Sequence, residues 1–267
     1  MNTKFLITAD SNRSALLKKK IIHYYIANGD ATIAELCKEM DLSIPTVTKL
    51  VGELLDDGYI LDFGKQETNG GRKPNIYGLN PVSGYFVGVD VFRSKINIAA
   101  VDFKGDKLRV EENIPYSLEN TPEALEMLCN LINDFIDRLS VPREKVLAVG
   151  VNISGRVNPV SGYSYSIFYF EEKPLSQILE ERINIKIYIE NDTRAMMYGE
   201  YMQGVVKGEK NILFINMGWG LGLSIFINGE LYYGKSGFSG EFGHFCFFDN
   251  EILCHCGKKG CIETEAS

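Results

Sequence analysis

The chain has 267 residues, of which 45% are hydrophobic and 24% charged, proportions that are ordinary for a folded protein and exclude wholesale disorder. No apolar run approaches the roughly 18 residues that a membrane helix requires, and the sequence after Met1 lacks a signal-peptide pattern, so a soluble cytoplasmic protein without a membrane partner is expected. Residues 1–80 carry ten basic and ten acidic side chains, whereas residues 81–267 carry the whole surplus behind the net charge of −7. A neutral N-terminal part therefore leaves nucleic-acid binding open.

Three short helices are predicted in the N-terminal part. The first follows an apolar stripe and stops at Gly29, where glycine readily ends a helix. The second begins at Thr32, because Thr32 and Glu35 have the spacing of a capping box. The third begins at Ser43, whose hydroxyl is a suitable cap, and ends before Gly58.

Two strand patterns follow, at residues 59–63 and 75–79, on either side of a glycine-rich loop. Three helices and a two-stranded wing are the plan of a winged helix-turn-helix, whose third helix enters the DNA major groove. We expect such a DNA-binding domain over residues 1–80. A small helical domain that binds a protein would show the same apolar pattern, but the basic wing favours DNA. The side chains expected to contact operator DNA are Ser43, Thr46, Thr48, Lys49, Arg72 and Lys73.

Residues 81–267 change to an α/β pattern. Three consecutive strands are followed by alternating helices and strands, which predicts a second domain with a mixed sheet. Strands are predicted at residues 85–91, 95–101, 107–113, 146–152, 185–189, 211–216 and 221–227, and helices at residues 121–139 and 192–203.

A cluster of cysteines predicts a metal site. Cys254, Cys256 and Cys261 fall within eight residues, and His244 precedes them. Three thiolates and one imidazole are a usual tetrahedral zinc set, and four protein ligands leave no open position for water, so a structural Zn²⁺ is expected. His255 is expected to point away from its two cysteine neighbours. The other cysteines are predicted to be packing residues: Cys37, Cys129 and Cys246.

The motif E-x-G-H at residues 241–244 and the motif C-x-C-G-x-x-G-C-x-E at residues 254–263 together resemble the signature of the ROK family of repressors, open reading frames and sugar kinases. With a winged helix in front, the resemblance is to the repressor branch. It implies an actin-like, ribonuclease H-like α/β fold for residues 81–267, and a homodimer or homotetramer in the full-length form. Family members continue well beyond this motif, so the second lobe is expected to be incomplete.

The resemblance also implies a sugar site. In the family, sugar hydroxyls are bound by an Asn-Asp pair after a strand, by both polar residues of E-x-G-H, and by the glutamate two positions after the last cysteine. The matching residues are Asn191, Asp192, Glu241, His244 and Glu263. Asp192 matches the catalytic base of the kinases. From the residues alone, Asp192 is also a candidate helix cap.

Two segments depart from the kinase pattern. Sugar kinases of this fold open with D-x-G-x-T, but here Phe92 replaces the glycine after Asp90, and Trp219 stands where the kinases have a small hydroxyl residue. Bulky side chains obstruct a phosphate cradle, which needs open backbone N–H groups. No ATP and no catalytic residue are therefore expected, and Asp192 is interpreted as a vestigial base.

These features favour a sugar-responsive transcriptional repressor of carbohydrate-utilisation genes. Its expected partners are operator DNA and a sugar or phosphosugar inducer. Two alternatives stay open: an ATP-dependent sugar kinase with an appended regulatory head, and an interaction module bound by a partner protein in place of a sugar.

Overall fold

The structure is a computed structural model and describes residues 12–65 and 74–267. The chain divides into two compact units. The first comprises residues up to 88 with residues 98–111 and 134–149, and the second comprises residues 89–97, 112–133 and 150–267. None of the helices in the described ranges combines the length and the apolar character that crossing a membrane requires.

The predicted winged helix-turn-helix is confirmed. Its elements are α1 (Arg13–Asn28), β1 (Ala31–Thr32), α2 (Ile33–Met40), α3 (Ile44–Asp56), β2 (Ile60–Lys65) and β3 (Asn75–Leu79). Strand β3 lies between β1 and β2 and is antiparallel to both. The register pairs Ile60 with Leu79 and Ala31 with Tyr77. The three strands thus form a small sheet beside the helices.

Local side chains fix the helix ends. The capping box of α2 is present, because the Glu35 backbone N donates to Thr32 Oγ1 at 3.3 Å and the Thr32 backbone N donates to Glu35 Oε2 at 2.7 Å. Gly29 ends α1 with φ at +79°, a conformation that favours glycine. Ser43 occupies the N-cap position of α3 but makes no capping hydrogen bond. Its hydroxyl lies 2.8 Å from Thr46 Oγ1, so this part of the cap prediction is wrong.

The core of the winged helix continues into later parts of the first unit. Phe103, in a turn at residues 103–106, is buried, with its ring centre 5.7 Å from that of Tyr59 and 6.0 Å from that of Phe86. Leu147 belongs to the same buried cluster. The Phe103 backbone N also donates to the Pro81 carbonyl at 3.2 Å. The three helices of the winged helix-turn-helix (the head) therefore share one buried cluster with this turn.

The α/β elements follow closely the predicted order. The first group is β4 (Tyr85–Val91), β5 (Lys95–Asp102), β6 (Lys107–Pro115), α4 (Pro122–Asp137), β7 (Val146–Ile153), β8 (Val157–Asn158) and β9 (Tyr163–Ser164). The second group is α5 (Leu175–Ile183), β10 (Ile187–Asn191), α6 (Asp192–Gln203), β11 (Ile212–Gly218), β12 (Gly220–Ile227), β13 (Glu230–Leu231) and α7 (Glu263–Ala266).

These strands form three sheets. The largest has five strands in the order β10-β7-β4-β5-β6, a mixed arrangement of the kind predicted. Strands β11, β12 and β13 form an antiparallel sheet in the second unit, and β8 pairs with β9. Phe226 of β12 is buried against Tyr201 of α6, with ring centres 4.5 Å apart. This contact anchors α6, whose first residues carry part of the predicted sugar site.

Candidate functional site

The cysteine motif folds as a tight knuckle. The Cys254 backbone N donates to the Lys258 carbonyl at 2.8 Å, and the Gly257 backbone N donates to the Cys254 carbonyl at 2.9 Å. Gly260 has φ at +74°, a conformation that residues with a Cβ rarely adopt. A Cβ at this position would also overlap the carbonyl oxygen of Phe248. The glycines of the motif thus let the chain turn tightly enough to bring its cysteines together.

The four predicted metal ligands converge. One ligand atom from each of His244, Cys254, Cys256 and Cys261 lies within 4.8 Å of the others. His244 Nδ1 is 3.5 Å from Cys254 Sγ, and Cys256 Sγ is 3.7 Å from Cys261 Sγ. Ligands about 2.0–2.3 Å from a tetrahedral ion stand roughly 3.5–3.8 Å apart. The donor set therefore fits a metal ion that accepts thiolate and imidazole.

Two expectations about neighbouring residues are wrong. His255 does not point away from the cluster, because its Nδ1 lies 3.8 Å from Cys254 Sγ and 3.0 Å from Glu263 Oε1. His244, His255 and Glu263 therefore form a second group of convergent metal-ligating side chains. Cys246 is exposed and is not a packing residue, although its backbone pairs with that of Cys261. Cys129 is buried as predicted, whereas Cys37 is half-buried.

The predicted Asn-Asp pair lies where β10 ends and α6 begins. Asn191 caps the helix, since its Oδ1 accepts from the Arg194 backbone N at 3.1 Å. Its Nδ2 donates to Asp192 Oδ1 at 2.9 Å and to the Gly155 carbonyl at 3.0 Å. Asp192 is the first helical residue and accepts from the Thr193 backbone N at 2.7 Å. The capping role considered for Asp192 therefore belongs to Asn191, which also orients the Asp192 carboxylate.

Asp192 lies in a carboxylate-rich environment. Burial raises the pKa of the Asp192 carboxyl, and hydrogen bonds from Thr193 and Asn191 act against that rise. Burial, with the charge of Asp192 added, raises the pKa of the Asp90 carboxyl to about 6. The Asp90 carboxyl can therefore hold a proton at mildly acidic pH, and both carboxyl groups can accept hydrogen bonds from hydroxyl groups when they are ionised.

A buried ion pair holds the start of α6 in place. Arg194 is only 4% exposed, and its Nε donates to Glu190 Oε1 at 2.6 Å. The same guanidinium donates to the Gly237 and Val157 carbonyls at 2.8 and 2.7 Å. Its central carbon lies 5.2 Å from the ring centre of Tyr233. This network was not predicted, although the i, i+4 spacing of Glu190 and Arg194 across the Asn-Asp pair is a sequence signal for it.

The remaining predicted sugar residues lie around the start of β12. Glu263 Oε2 accepts from the Leu221 backbone N at 3.0 Å, and Glu263 lies within 4.8 Å of His244. Gly222 lies so close to Thr193 that a Cβ there would overlap the Thr193 hydroxyl. The beginning of β12 therefore lies against both Glu263 and Thr193, the residue after Asp192. Glu241 joins this group through its Oε2, which is 3.9 Å from His244 Nε2.

The two segments that depart from the kinase pattern contact each other. The guanidinium carbon of Arg93 lies 5.2 Å from the ring centre of Trp219, a cation–π distance. Lys95 makes a similar cation–π contact with Phe92, since its Nζ lies 5.4 Å from the Phe92 ring centre. Both bulky residues thus have a cationic neighbour, a pairing that the sequence pattern did not indicate.

The predicted DNA-contacting residues of α3 are accessible. Ser43, Thr48 and Lys49 are exposed, and Thr46 is half-buried. The Lys49 ammonium lies 3.9 Å from Glu53. Arg72 and Lys73 lie outside the described residues. Ile44, an apolar residue at the start of α3 that the residue pattern did not single out, is 64% exposed beside them.

Two family models match the sequence. The ROK family model matches residues 86–267, more than half of the chain, and a winged helix-turn-helix DNA-binding model matches residues 16–60. The chain belongs to the ROK family.

Similar proteins include both regulators and kinases. The chain is 29% identical over 252 residues to the xylose repressor of Bacillus subtilis. The aligned region is 94% of this chain and 65% of that protein. It is 33% identical over 186 residues to the glucokinase of Streptomyces coelicolor. Here the aligned region is 69% of this chain and 56% of that protein. The chain thus spans about 65% of the length of the repressor.

A solved structure supports the fold. The crystal structure of a ROK family transcriptional regulator, a homologue of the Escherichia coli MLC protein, superposes with a TM-score of 0.75 over 94% of this chain and 65% of that one. The sequence identity is 24%, so this likeness concerns the fold alone. It agrees with a winged helix followed by an actin-like α/β domain.

Proposed function

We propose that the protein is a sugar-responsive transcriptional repressor. One observation carries the proposal: the chain joins a winged helix, whose third helix is accessible, to a ROK domain. In that domain, Phe92 and Trp219 occupy two positions that belong to the phosphate loops of the kinases. The first feature suits DNA binding. The second works against binding of nucleotide phosphates, because large side chains obstruct the approach to backbone N–H groups. The resemblance to a xylose repressor over 94% of this chain supports the same function.

The sugar would bind around the start of β12. Carboxylates accept the protons of sugar hydroxyls, and the amide and imidazole groups add directional partners. Asp192, Glu241 and Glu263 supply the carboxylates in this proposal. Asn191 holds Asp192, and His244 presents its Nε2 beside Glu241. The names of the relatives suggest D-xylose, D-glucose and N-acetylglucosamine, free or as phosphate esters, as first ligands to test.

The metal would be a structural Zn²⁺. Its ligands would be His244 through Nδ1 and the thiolates of Cys254, Cys256 and Cys261, whose separations suit a tetrahedral ion. Four protein ligands close the coordination sphere, so the ion would fix the knuckle. Because His244 would donate one nitrogen to the metal, its other nitrogen would be held in a set orientation near the sugar.

Operator DNA would be bound by α3 and the wing. Thr46, Thr48 and Lys49 would contact phosphates or base edges, with Ser43 at the helix start, and Arg72 and Lys73 would reach phosphates or a minor groove. A homodimer or homotetramer would place two winged helices on the two halves of an operator. The coupling between sugar and DNA would be allosteric, with sugar favouring the form that binds DNA less well.

A thermal-shift measurement combined with a turnover assay tests this function. Binding of a sugar to the native state raises its melting temperature by mass action, so at least one of the three sugars or their phosphates should do so at millimolar concentration. ATP with Mg²⁺ should leave the melting temperature unchanged, and no phosphorylated sugar should form. Turnover of ATP and sugar would instead identify a kinase with a regulatory head. A protein that binds DNA but none of these ligands would favour an interaction module.

A further inference from the structure

Trp219 is the one tryptophan of the sequence and occupies the tip of the β11–β12 hairpin, where Gly218 pairs directly with Gly220. The indole is 93% exposed. An indole ring is among the largest apolar groups available for burial, so exposing one at a turn forgoes a large gain in stability. An indole that stays in water offers a large, rigid apolar face that a ligand can cover.

The position of the hairpin tip indicates what is bound there. Glu263 Oε2 accepts from the Leu221 backbone N, two residues after the tryptophan. Gly220 has φ at +155°, and a Cβ at this position would point at the Glu263 carboxylate, 3.0 Å from its Oε2. One residue beyond Leu221, Gly222 lies against Thr193, the neighbour of Asp192. The tryptophan is therefore at the edge of the group of side chains proposed to bind sugar.

Arg93 lies beside the indole. Its guanidinium carbon lies 5.2 Å from the Trp219 ring centre, and it follows Asp90 by three residues. A cation over one face of an aromatic ring is attracted by the ring quadrupole, more strongly for tryptophan than for other rings. Since the indole is 93% exposed with this cation beside it, its ring remains open to a ligand.

We propose that Trp219 is the stacking platform of the sugar site. A pyranose presents apolar C–H bonds on its ring face and hydroxyls around its rim. The free indole face would take the C–H face of the ring, while Asp192 and Glu263 accept hydroxyl protons from the rim. The ligand class is then a pyranose with one largely apolar face. This inference rests on the proposed sugar-binding function and adds a specificity-determining residue to it.

The sole tryptophan makes the test direct, because all indole fluorescence reports on position 219. The full chain is titrated with D-xylose, D-glucose and N-acetylglucosamine while emission and acrylamide quenching are recorded, and binding is measured in parallel by calorimetry. Stacking removes the ring from water, so the emission should shift to shorter wavelength and quenching should fall. Both changes should saturate at the dissociation constant that calorimetry gives.

Variants separate stacking from mere proximity. Trp219→Ala should weaken sugar binding about tenfold, and Trp219→Phe by less, because a phenyl ring retains part of the stacking surface. Phe247→Ala removes another exposed aromatic side chain, 70% exposed, and should leave both the affinity and the fluorescence response unchanged.

Two results would overturn the proposal, and they are distinguishable. Sugar binding by calorimetry with unchanged tryptophan emission, and with wild-type affinity in Trp219→Ala, would exclude the stacking role while leaving the sugar function in place. Absence of any sugar binding by the wild-type chain would overturn the function itself. If Trp219→Ala fails to fold by circular dichroism, the wild-type fluorescence titration and the Trp219→Phe affinity decide.

Discussion

Burial beside the Asp192 carboxylate raises the pKa of the Asp90 carboxyl to about 6. Both carboxyl groups belong to the second unit, and they are far apart in the sequence. An aspartate in the unfolded chain has a pKa of about 3.9. The native state therefore binds this proton more tightly than the unfolded state does, and the stability of the protein must depend on pH in this range.

Replacing Asp90 by Asn should flatten that pH dependence. Because the native pKa is raised, the contribution of Asp90 to stability is present below about pH 4 and is lost as the pH rises through about 6. In Asp90→Asn this loss cannot occur, so the variant should gain melting temperature relative to wild type between pH 4 and pH 7. Melting curves across that range measure the difference. Asp249→Asn, at an exposed aspartate, is the matched control. A constant offset between Asp90→Asn and wild type at every pH would contradict the assignment.

Removing one thiol of the cluster should release the metal. Cys261→Ser is expected to lose the bound Zn²⁺ and to lower the melting temperature, because the folding free energy of the knuckle is coupled to metal binding. Elemental analysis after exhaustive dialysis gives the zinc content. Cys246→Ser is the control, since Cys246 is exposed and lies outside the ligand set. Wild-type protein without zinc, or Cys261→Ser with one full equivalent of zinc, would contradict the proposed metal site.

Truncating Phe103 should destabilise the winged helix. The side chain is buried between Tyr59 and Phe86, and deletion of a buried phenyl ring costs about 3–5 kcal/mol. Phe103→Ala should lower the free energy of unfolding by about that amount and speed hydrogen exchange in α1 and α3. Denaturant titration and exchange mass spectrometry give the two quantities. Exchange in α1 and α3 that matches wild type would show that the head is stable without this contact.

The two groups of residues proposed to contact DNA should differ in their effects. Arg72→Ala and Lys73→Ala should weaken binding to all duplexes, and each should reduce the slope of log affinity against log salt by roughly one unit if one phosphate contact is lost. Ile44→Ala and Thr46→Ala should instead change the preference between duplexes, because an apolar side chain at the start of α3 can contact thymine methyl groups. Fluorescence anisotropy over a series of salt concentrations measures both effects. Equal losses on every duplex for all four variants would contradict this division.

Local sequence signals predicted the head well. The capping box of Thr32 and Glu35 was predicted because both partners lie within one helical turn, and no distant contact decides whether it forms. The predicted α3 also agrees with the structure to within a residue or two. Ser43 shows the limit of such reasoning, since its hydroxyl has two partners within reach and bonds to Thr46. A side-chain choice between nearby acceptors depends on rotamers, which the residue pattern does not specify.

One helix of the second unit was not predicted. Helix α5 has only nine residues and its capping position makes no side-chain hydrogen bond, so neither length nor a start signal marked it. Its apolar residues at Leu175, Ile178, Leu179 and Ile183 do follow helical spacing and are all buried. The pattern was present, but a short helix obtains its stability from packing more than from local propensity.

In the candidate site, the sequence predicted which side chains converge better than it predicted their surroundings. The spacing of the cysteine motif indicated a convergent metal site, because a tight knuckle of short loops leaves its thiols few other places to lie. The contacts of Asp90 with Asp192 and of Arg93 with Trp219 join segments about one hundred residues apart or more. Such contacts depend on how the strands are ordered in the sheets, and no local pattern encodes that order.

The central claim is that sugar controls DNA binding through the site around Asp192. The most direct measurement is fluorescence anisotropy of a duplex that the wild-type protein selects from random sequence, titrated with protein in the absence and presence of the sugar found by thermal shift. We predict that sugar weakens binding at least tenfold, and that Asp192→Asn binds the duplex as wild type does without sugar but loses most of the response. Sugar-independent binding by the wild-type protein, with a clear thermal shift by the same sugar, would contradict the claim.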